Sequence, residues 1–305
     1  MRLRRPHRSA LIVALAASAS LLLGACGGGA SAGGGNDGKI SVVASTNVYG
    51  SIISAIGGDK VSVYSIIDRP DADPHSYEAT PQDKLAMSKA AFGVENGGGY
   101  DDFFGQLASG VLADDKIVNV ASLSGMDTGA ADFNEHLWYS FPVMDTLADQ
   151  LVARLSAADP AGAAAFKDNA ATFKKQLGAL EGQLATVKKS YDGTPAAITE
   201  PVPLYMLTAA GLVNKTPEAY SKAVEDGNDV PAAVLLKTTA LFSSHEVKLL
   251  AYNTQTEGPQ TKAVLDAAQG AGIPVLDVSE TLPANTSYLQ WMTANVGNLL
   301  KALAG

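Results

Sequence analysis

The sequence predicts an α/β protein built as two lobes joined by a single long helix. Three observations carry that reading. Short β-branched apolar runs alternate with segments of helical spacing up to about residue 155. A proline-free stretch, Ala163 to Tyr191, is then rich in Ala, Lys, Gln and Leu. After it, the alternation of strand-like and helix-like segments resumes to the end of the chain.

Element by element, Ile40 to Ser45 (ISVVAS) is the apolar run of a buried parallel strand, and Val48 to Ile56 follows at helical spacing until Gly57 and Gly58 stop it. Val61 to Ile67 predicts a second strand, Pro81 to Ser88 a short helix, and Ala91 to Glu95 a strand. Tyr100 to Ala108 predicts another helix and Lys116 to Val120 a strand. Pro142 to Leu155 places Val143, Leu147, Leu151 and Leu155 four apart, on one helical face. In the long segment, Phe166, Phe173, Leu177, Leu180 and Leu184 form an apolar stripe. A helix of about 29 residues would be roughly 43 Å long, a beam between lobes. Beyond it, Ala196 to Thr199 ends a strand, Val202 to Ala210 is helical, and Ala233 to Leu236 is a short apolar segment. Val247 to Tyr252 is strand-like, Gln260 to Gly270 helical, Ile273 to Val278 a strand, and Tyr288 to Leu303 the closing helix.

The 305 residues carry 22 Lys and Arg against 31 Asp and Glu, a formal charge of -9. Such an anion repels polyphosphates, which argues against a general nucleic-acid binder. Cys26 is the one cysteine, so neither an intrachain disulfide nor a CxxC knuckle can form. It follows a basic segment with Arg2, Arg4, Arg5 and Arg8, then an apolar run, Ala10 to Leu23, that is short for a bilayer span. Leu23-Gly24-Ala25-Cys26 resembles the lipobox of a bacterial lipoprotein signal. That resemblance implies cleavage before Cys26, lipidation of its sulfur, and a body held by a lipid anchor on the outer face of the cell membrane. The plainer alternative is ordinary secretion with cleavage. The expected organisation is a signal peptide over 1–25, a flexible Gly/Ser-rich tether over 26–39, a first lobe over 40–160, the linking helix over 161–191 and a second lobe over 192–305.

Three residues stand where chemistry is expected. His75 (DADPHSYEATPQD) and His136 (FNEHLWYSFP) lie in loops, and Glu200 (AAITEPVP) follows a strand immediately. Loops beyond the carboxyl ends of parallel strands are the binding edge of open α/β sheets. A carboxylate buried there needs a cation or donors. Two imidazoles and one carboxylate suit zinc or another late first-row divalent ion. The plain alternative for each histidine is a surface or hydrogen-bonding role. HExxH, EF-hand and GxxxxGK[ST] patterns are absent, and no GxGxxG follows the Ile40 to Ser45 strand. Gly97 to Gly99 reads as a tight turn. Ser243-Ser244-His245 lacks a GxSxG elbow, so a serine hydrolase has no support, and His245 and Glu246 flank the following strand.

Taken together, DPHSYEATPQD, VENGGGYDDF, EHLWYS, the long helix, ITEPVPLYMLTAAGL, IPVLDVSETLP and YLQWMTANVGNL resemble the cluster A-I substrate-binding lipoproteins that deliver zinc or manganese to ABC transporters. The resemblance runs from Ile40 to Leu303. It implies two Rossmann-like lobes joined by a rigid helix, a metal site in the interlobe cleft, no catalysis, a monomer, and an ABC permease as partner. It also implies His75 and His136 as ligands from the first lobe and Glu200 as a third from the second, where zinc-specific members often have His and manganese-specific members Glu. The family's fourth ligand is expected as an Asp just before the last helix. Counting back from Tyr288 and Met292 puts Thr286 there, with Asn285 beside it. Threonine is a poor ligand, which leaves water or an acid from another loop: Glu225, Asp226, Asp229 or Glu280. Two imidazoles and one carboxylate favour zinc as the transported ion, with manganese the alternative. A structural or adhesion lipoprotein is the contrasting class. Because a long helix does not bend cheaply, closure on metal should be confined to loops near Glu200 and 225–229.

Overall fold

A computed structural model describes residues 38–70, 77–130 and 133–304. The signal segment, Cys26, all but the end of the tether, and His75 lie outside the described residues.

The first sheet contains β1 (Ile40–Thr46), β2 (Val61–Ile67), β3 (Phe92–Glu95) and β4 (Ile117–Asn119), all parallel in the order β2-β1-β3-β4. Val42, Val43 and Ala44 have no exposed surface, so both faces of β1 are covered and the run is apolar throughout rather than alternating. Helices α1 (Asn47–Gly57), α2 (Pro81–Lys89), α3 (Asp102–Ala108) and α4 (Val120–Leu123) follow the four strands in turn. Thr80 and Asp83 form a reciprocal capping box that starts α2. The turn after β3 is built by Gly97, Gly98 and Gly99, with φ of 72°, 69° and 98°. A side chain at Gly98 would also run into the Phe133 ring. The buried Asp101 carboxylate accepts the backbone N–H groups of Asn96 and Gly97 at 2.7 and 2.8 Å, closing the turn.

Helix α5 (Phe141–Ala158) leads into α6 (Ala163–Tyr191), the long linking helix, which buries Phe166, Phe173, Leu177, Leu180, Leu184 and Val187 along one stripe. Its exposed Gly178 and Gly182 have open space where a Cβ would go. Gly178→Ala and Gly182→Ala are therefore each expected to stabilise the protein by about 0.5–1 kcal/mol, read from the urea midpoint, because only unfolded-chain entropy changes.

The second sheet holds β5 (Pro195–Ile198), β6 (Val213–Asn214), β7 (Leu250–Asn253) and β8 (Val275–Val278), parallel in the order β6-β5-β7-β8. Around it lie α7 (Leu204–Ala209), α8 (Glu218–Glu225), α9 (Ala232–Ser243), α10 (Pro259–Gly270) and α11 (Tyr288–Ala304). Two differences from the sequence reading matter. The short apolar segment expected over Ala233 to Leu236 is only the first part of α9, a 12-residue helix whose Leu236 points to solvent and so obscures the apolar stripe. The strand expected from Val247 starts at Leu250, because His245 at φ 54° and the bond from Glu246 N–H to Leu241 C=O at 3.0 Å close α9 in a left-handed cap. Ser243 and Ser244 hydroxyls donate to the Ala240 carbonyl within the same helix end.

The lobes share one apolar core that runs from α1 through α5 and α6 to α11. Polar ties reinforce it. Asn47 and Leu282 exchange bonds through the Asn47 amide and the Leu282 backbone, and the Tyr288 hydroxyl donates to the Trp138 carbonyl at 2.7 Å. Tyr139 reaches the Ser279 carbonyl at 3.1 Å. Among the described residues no helix is long and apolar enough to cross a membrane.

Candidate metal centre

Three adjacent strands of the second sheet end in polar side chains at one edge. Glu200 lies beyond β5, Asn253 ends β7 and Glu280 lies beyond β8, each at most 3% exposed. Asn253 joins them. Its Nδ2 donates to Glu200 Oε2 at 2.7 Å and to Glu280 Oε1 at 2.9 Å. Its Oδ1 accepts the Gln255 N–H at 3.1 Å, and its own N–H donates to Thr199 Oγ1 at 2.8 Å, so the amide is held from three sides. The Thr256 hydroxyl donates a short bond to Glu200. Gln255 accepts the Glu280 N–H and donates to the Pro70 carbonyl across the cleft at 2.6 Å.

From the first lobe comes His136, fully buried against the Tyr100 and Trp138 rings. Its Nδ1 lies 2.8 Å from Asn134 Oδ1. Its Nε2 lies 3.5 Å from Glu225 Oε1, at the end of α8. Burial, then the charges of Glu200, Glu280 and Glu135, lifts Glu225 to about 10. Burial and the Asp101 and Asp102 charges lift Glu135 to about 7. A cavity of about 690 Å³ lined by Glu135, Pro201, Glu225 and Thr256 opens onto this cluster.

The structure thus brings His136, Glu200, Glu225 and Glu280 to one end of the cleft and leaves the other candidates outside it. Asp226 is exposed and pairs with Lys222 at 2.9 Å, and Asp229 is exposed. Asn285 and Thr286 line a separate cavity of about 330 Å³ with Asn47, Ser51 and Asp68. There Asn285 takes φ 58° and the Thr286 hydroxyl turns back to the Ala284 carbonyl at 3.3 Å, because the chain makes its tight turn before α11 at these residues. Among the described residues, His, Asp and Glu form no set of three ready to hold an ion: His136 faces Glu225, while Asn253 spaces Glu200 from Glu280. His75 is outside those residues. Sequence reading missed Asn134 and Asn253, whose only signal is a polar residue in an apolar setting, and α8, which carries Glu225 inward.

A further acid, Glu95 at the end of β3, lies apart from this cluster. It accepts from Asn119 Nδ2 at 2.8 Å and shares a cavity with Asp101 and Asp102. Burial, opposed by the Asn119 bond and reinforced by those two charges, lifts it from 4.5 to about 7. The folded state therefore holds this proton more tightly than the unfolded one. Its stabilising contribution is complete below pH 4.5 and is lost as pH rises through 7. Glu95→Gln should match the wild type near pH 4.5 and exceed it at pH 8 by on the order of 1 kcal/mol, after discounting for partial exposure, in urea unfolding.

Residues 42–302 match the ZnuA family, described as zinc-uptake complex component A, periplasmic, and the chain belongs to that family. Among curated relatives, it is 26% identical over 260 residues to the manganese ABC transporter substrate-binding lipoprotein scaA of Streptococcus gordonii, covering 80% of this chain and 73% of the relative. Among solved structures, the periplasmic zinc binding protein TroA from Treponema pallidum superposes with a TM-score of 0.73 at 19% identity, over 87% of this chain and 99% of that one. The substrate-binding protein FpvC from Pseudomonas aeruginosa, in complex with Mn2+, gives a TM-score of 0.71 at 20% identity, over 87% and 98%. At those identities the likeness is one of fold: two parallel-sheet α/β lobes and a long linking helix.

Proposed function

We propose that this protein is the metal-capturing component of an ABC uptake system, that it holds a divalent ion between its lobes, and that the ion is manganese. The observation that carries the reading is the pair of buried carboxylates, Glu200 and Glu280, gripped by one Asn253 amide at the carboxyl edge of the second sheet and facing the His136 side of the cleft. Two buried carboxylates crowded together repel, and a divalent cation relieves that repulsion. His75, His136, Glu200 and Glu280 make up the proposed ligand set, with Glu225 as a further oxygen donor beside His136.

Zinc, expected from the sequence on two imidazoles and one carboxylate, is the tighter binder of almost any such set. The second and third carboxylates shift the donor balance toward hard oxygen and higher coordination number, which suits manganese as cargo. No step of catalysis is proposed. The protein binds, closes its loops and delivers; the permease reads the two lobe surfaces. The leader over 1–25 is proposed to be removed, and lipidated Cys26 with the tether over 26–39 to hold the body outside the membrane.

The test is a competitive titration of metal-free protein starting at Cys26, with His75→Ala and Glu200→Ala beside it. Stoichiometric binding of manganese and of zinc, zinc the tighter, with both lost in both variants, is the expected result. A flat titration for both metals would overturn the reading and favour a diverged structural lipoprotein.

A further inference from the structure

The orientation of the Asn134 amide is fixed from both ends. Its Oδ1 accepts the His136 backbone N–H at 3.1 Å, and its Nδ2 donates to the Pro201 carbonyl at 3.0 Å. The atom that meets His136 Nδ1 at 2.8 Å is therefore an oxygen, which has no proton to give. Nδ1 must be the protonated nitrogen, and in the neutral ring the lone pair sits on Nε2. Pro201 follows Glu200 directly, in the other lobe, and the Tyr205 hydroxyl of that lobe donates to the Asn134 carbonyl at 2.7 Å. One side chain thus touches the ring of one proposed ligand and the backbone next to another.

We propose that Asn134 is a positioning residue for metal capture: it holds His136 as the Nδ1–H tautomer, presenting Nε2 to the ion, and ties that ring to the Glu200 loop across the cleft. The inference rests on His136 and Glu200 being ligands. It adds that their placement is coupled through a single amide, so one lobe's ligand is set when the other's loop docks. Partners of a ligating histidine's second nitrogen are worth about 10–100-fold in metal affinity.

The experiment is nitrogen-15 NMR of the His136 ring in metal-free protein at pH 8, alongside Mn2+ titration, for the wild type, Asn134→Ala and Asn134→Asp. The wild type should show the Nδ1–H tautomer. Asn134→Ala should move the ring toward Nε2–H and weaken Mn2+ binding by about 10–100-fold. Asn134→Asp keeps an acceptor for Nδ1–H but loses the donor to Pro201, so it should keep the tautomer and recover affinity to within about tenfold of the wild type. An Nε2–H wild type, or an Asn134→Ala variant with tautomer and affinity unchanged, would overturn the proposal. If Asn134→Ala does not fold, the wild-type tautomer and the Asn134→Asp comparison decide it. A wild type that keeps the Nδ1–H tautomer yet binds no metal would instead overturn the metal reading itself, and with it the role assigned to Asn134, while the tautomer stands.

Discussion

Glu280→Ala is expected to weaken manganese and zinc binding by at least about 100-fold, whereas Thr286→Ala and Asp229→Ala should stay within about twofold of the wild type. The contrast follows from placement. Glu280 is buried beyond β8 and shares the Asn253 amide with Glu200. Thr286 spends its hydroxyl on its own turn, and Asp229 faces solvent. Loss of a charged donor from a buried site removes both a metal bond and the charge that offsets the ion's desolvation. Removing a solvated acid outside the site removes neither. Isothermal titration of the three variants checks this directly. Equal losses for Glu280→Ala and Thr286→Ala would move the fourth donor back to the start of α11.

Asn253→Ala should destabilise the metal-free protein by about 2–3 kcal/mol, and saturating metal should recover most of that loss. The side chain donates to two buried carboxylates at once and accepts from Gln255, so alanine deletes three bonds in a site that is at most 3% exposed. Glu200 and Glu280 then face each other without the shared donor. A bound divalent ion replaces that donor with charge. At a thousandfold excess over Kd the ion adds about 4 kcal/mol to the wild type, and more to the variant, whose metal-free form carries the unrelieved repulsion, so the gap between the two narrows. Thermal melts with and without manganese measure both halves. An Asn253→Ala protein as stable as the wild type without metal would mean that the two carboxylates are neutralised by some other group.

Much of the fold was legible because its local signals agree. Ile40–Thr46 and Val61–Ile67 are continuous β-branched runs, and α6 spans Ala163–Tyr191, where composition, proline placement and the apolar stripe all indicate helix. Segments with conflicting signals were not legible. Helix α9 exposes Leu236, α8 is eight residues long with a polar outer face, and β6 is a two-residue strand with both residues exposed. The return of α11 onto α6 and the first lobe, through Tyr288 and Trp291, is long-range packing that no local window contains.

The site divides in the same way. Glu200 could be read from its position, a carboxylate directly after a strand. Glu280 was one acid among four, because the turn between β8 and α11 sets which side chain faces the cleft, and that turn is fixed by tertiary contacts of Leu282 and Tyr288. Asn134 and Asn253 carry no charge and no motif, yet they orient His136 and space the two carboxylates. Neutral hydrogen-bonding residues of this kind show their importance only once their partners are known.

The most direct test of a metal held between the lobes is anomalous diffraction from crystals of the protein loaded with one equivalent of manganese. One strong peak is expected in the cleft, bonded to His136 Nε2 from the first lobe and to Glu200 and Glu280 carboxylates from the second. A peak on surface acids such as Asp226 or Asp229, with the cleft donors still paired as they are without metal, would contradict it.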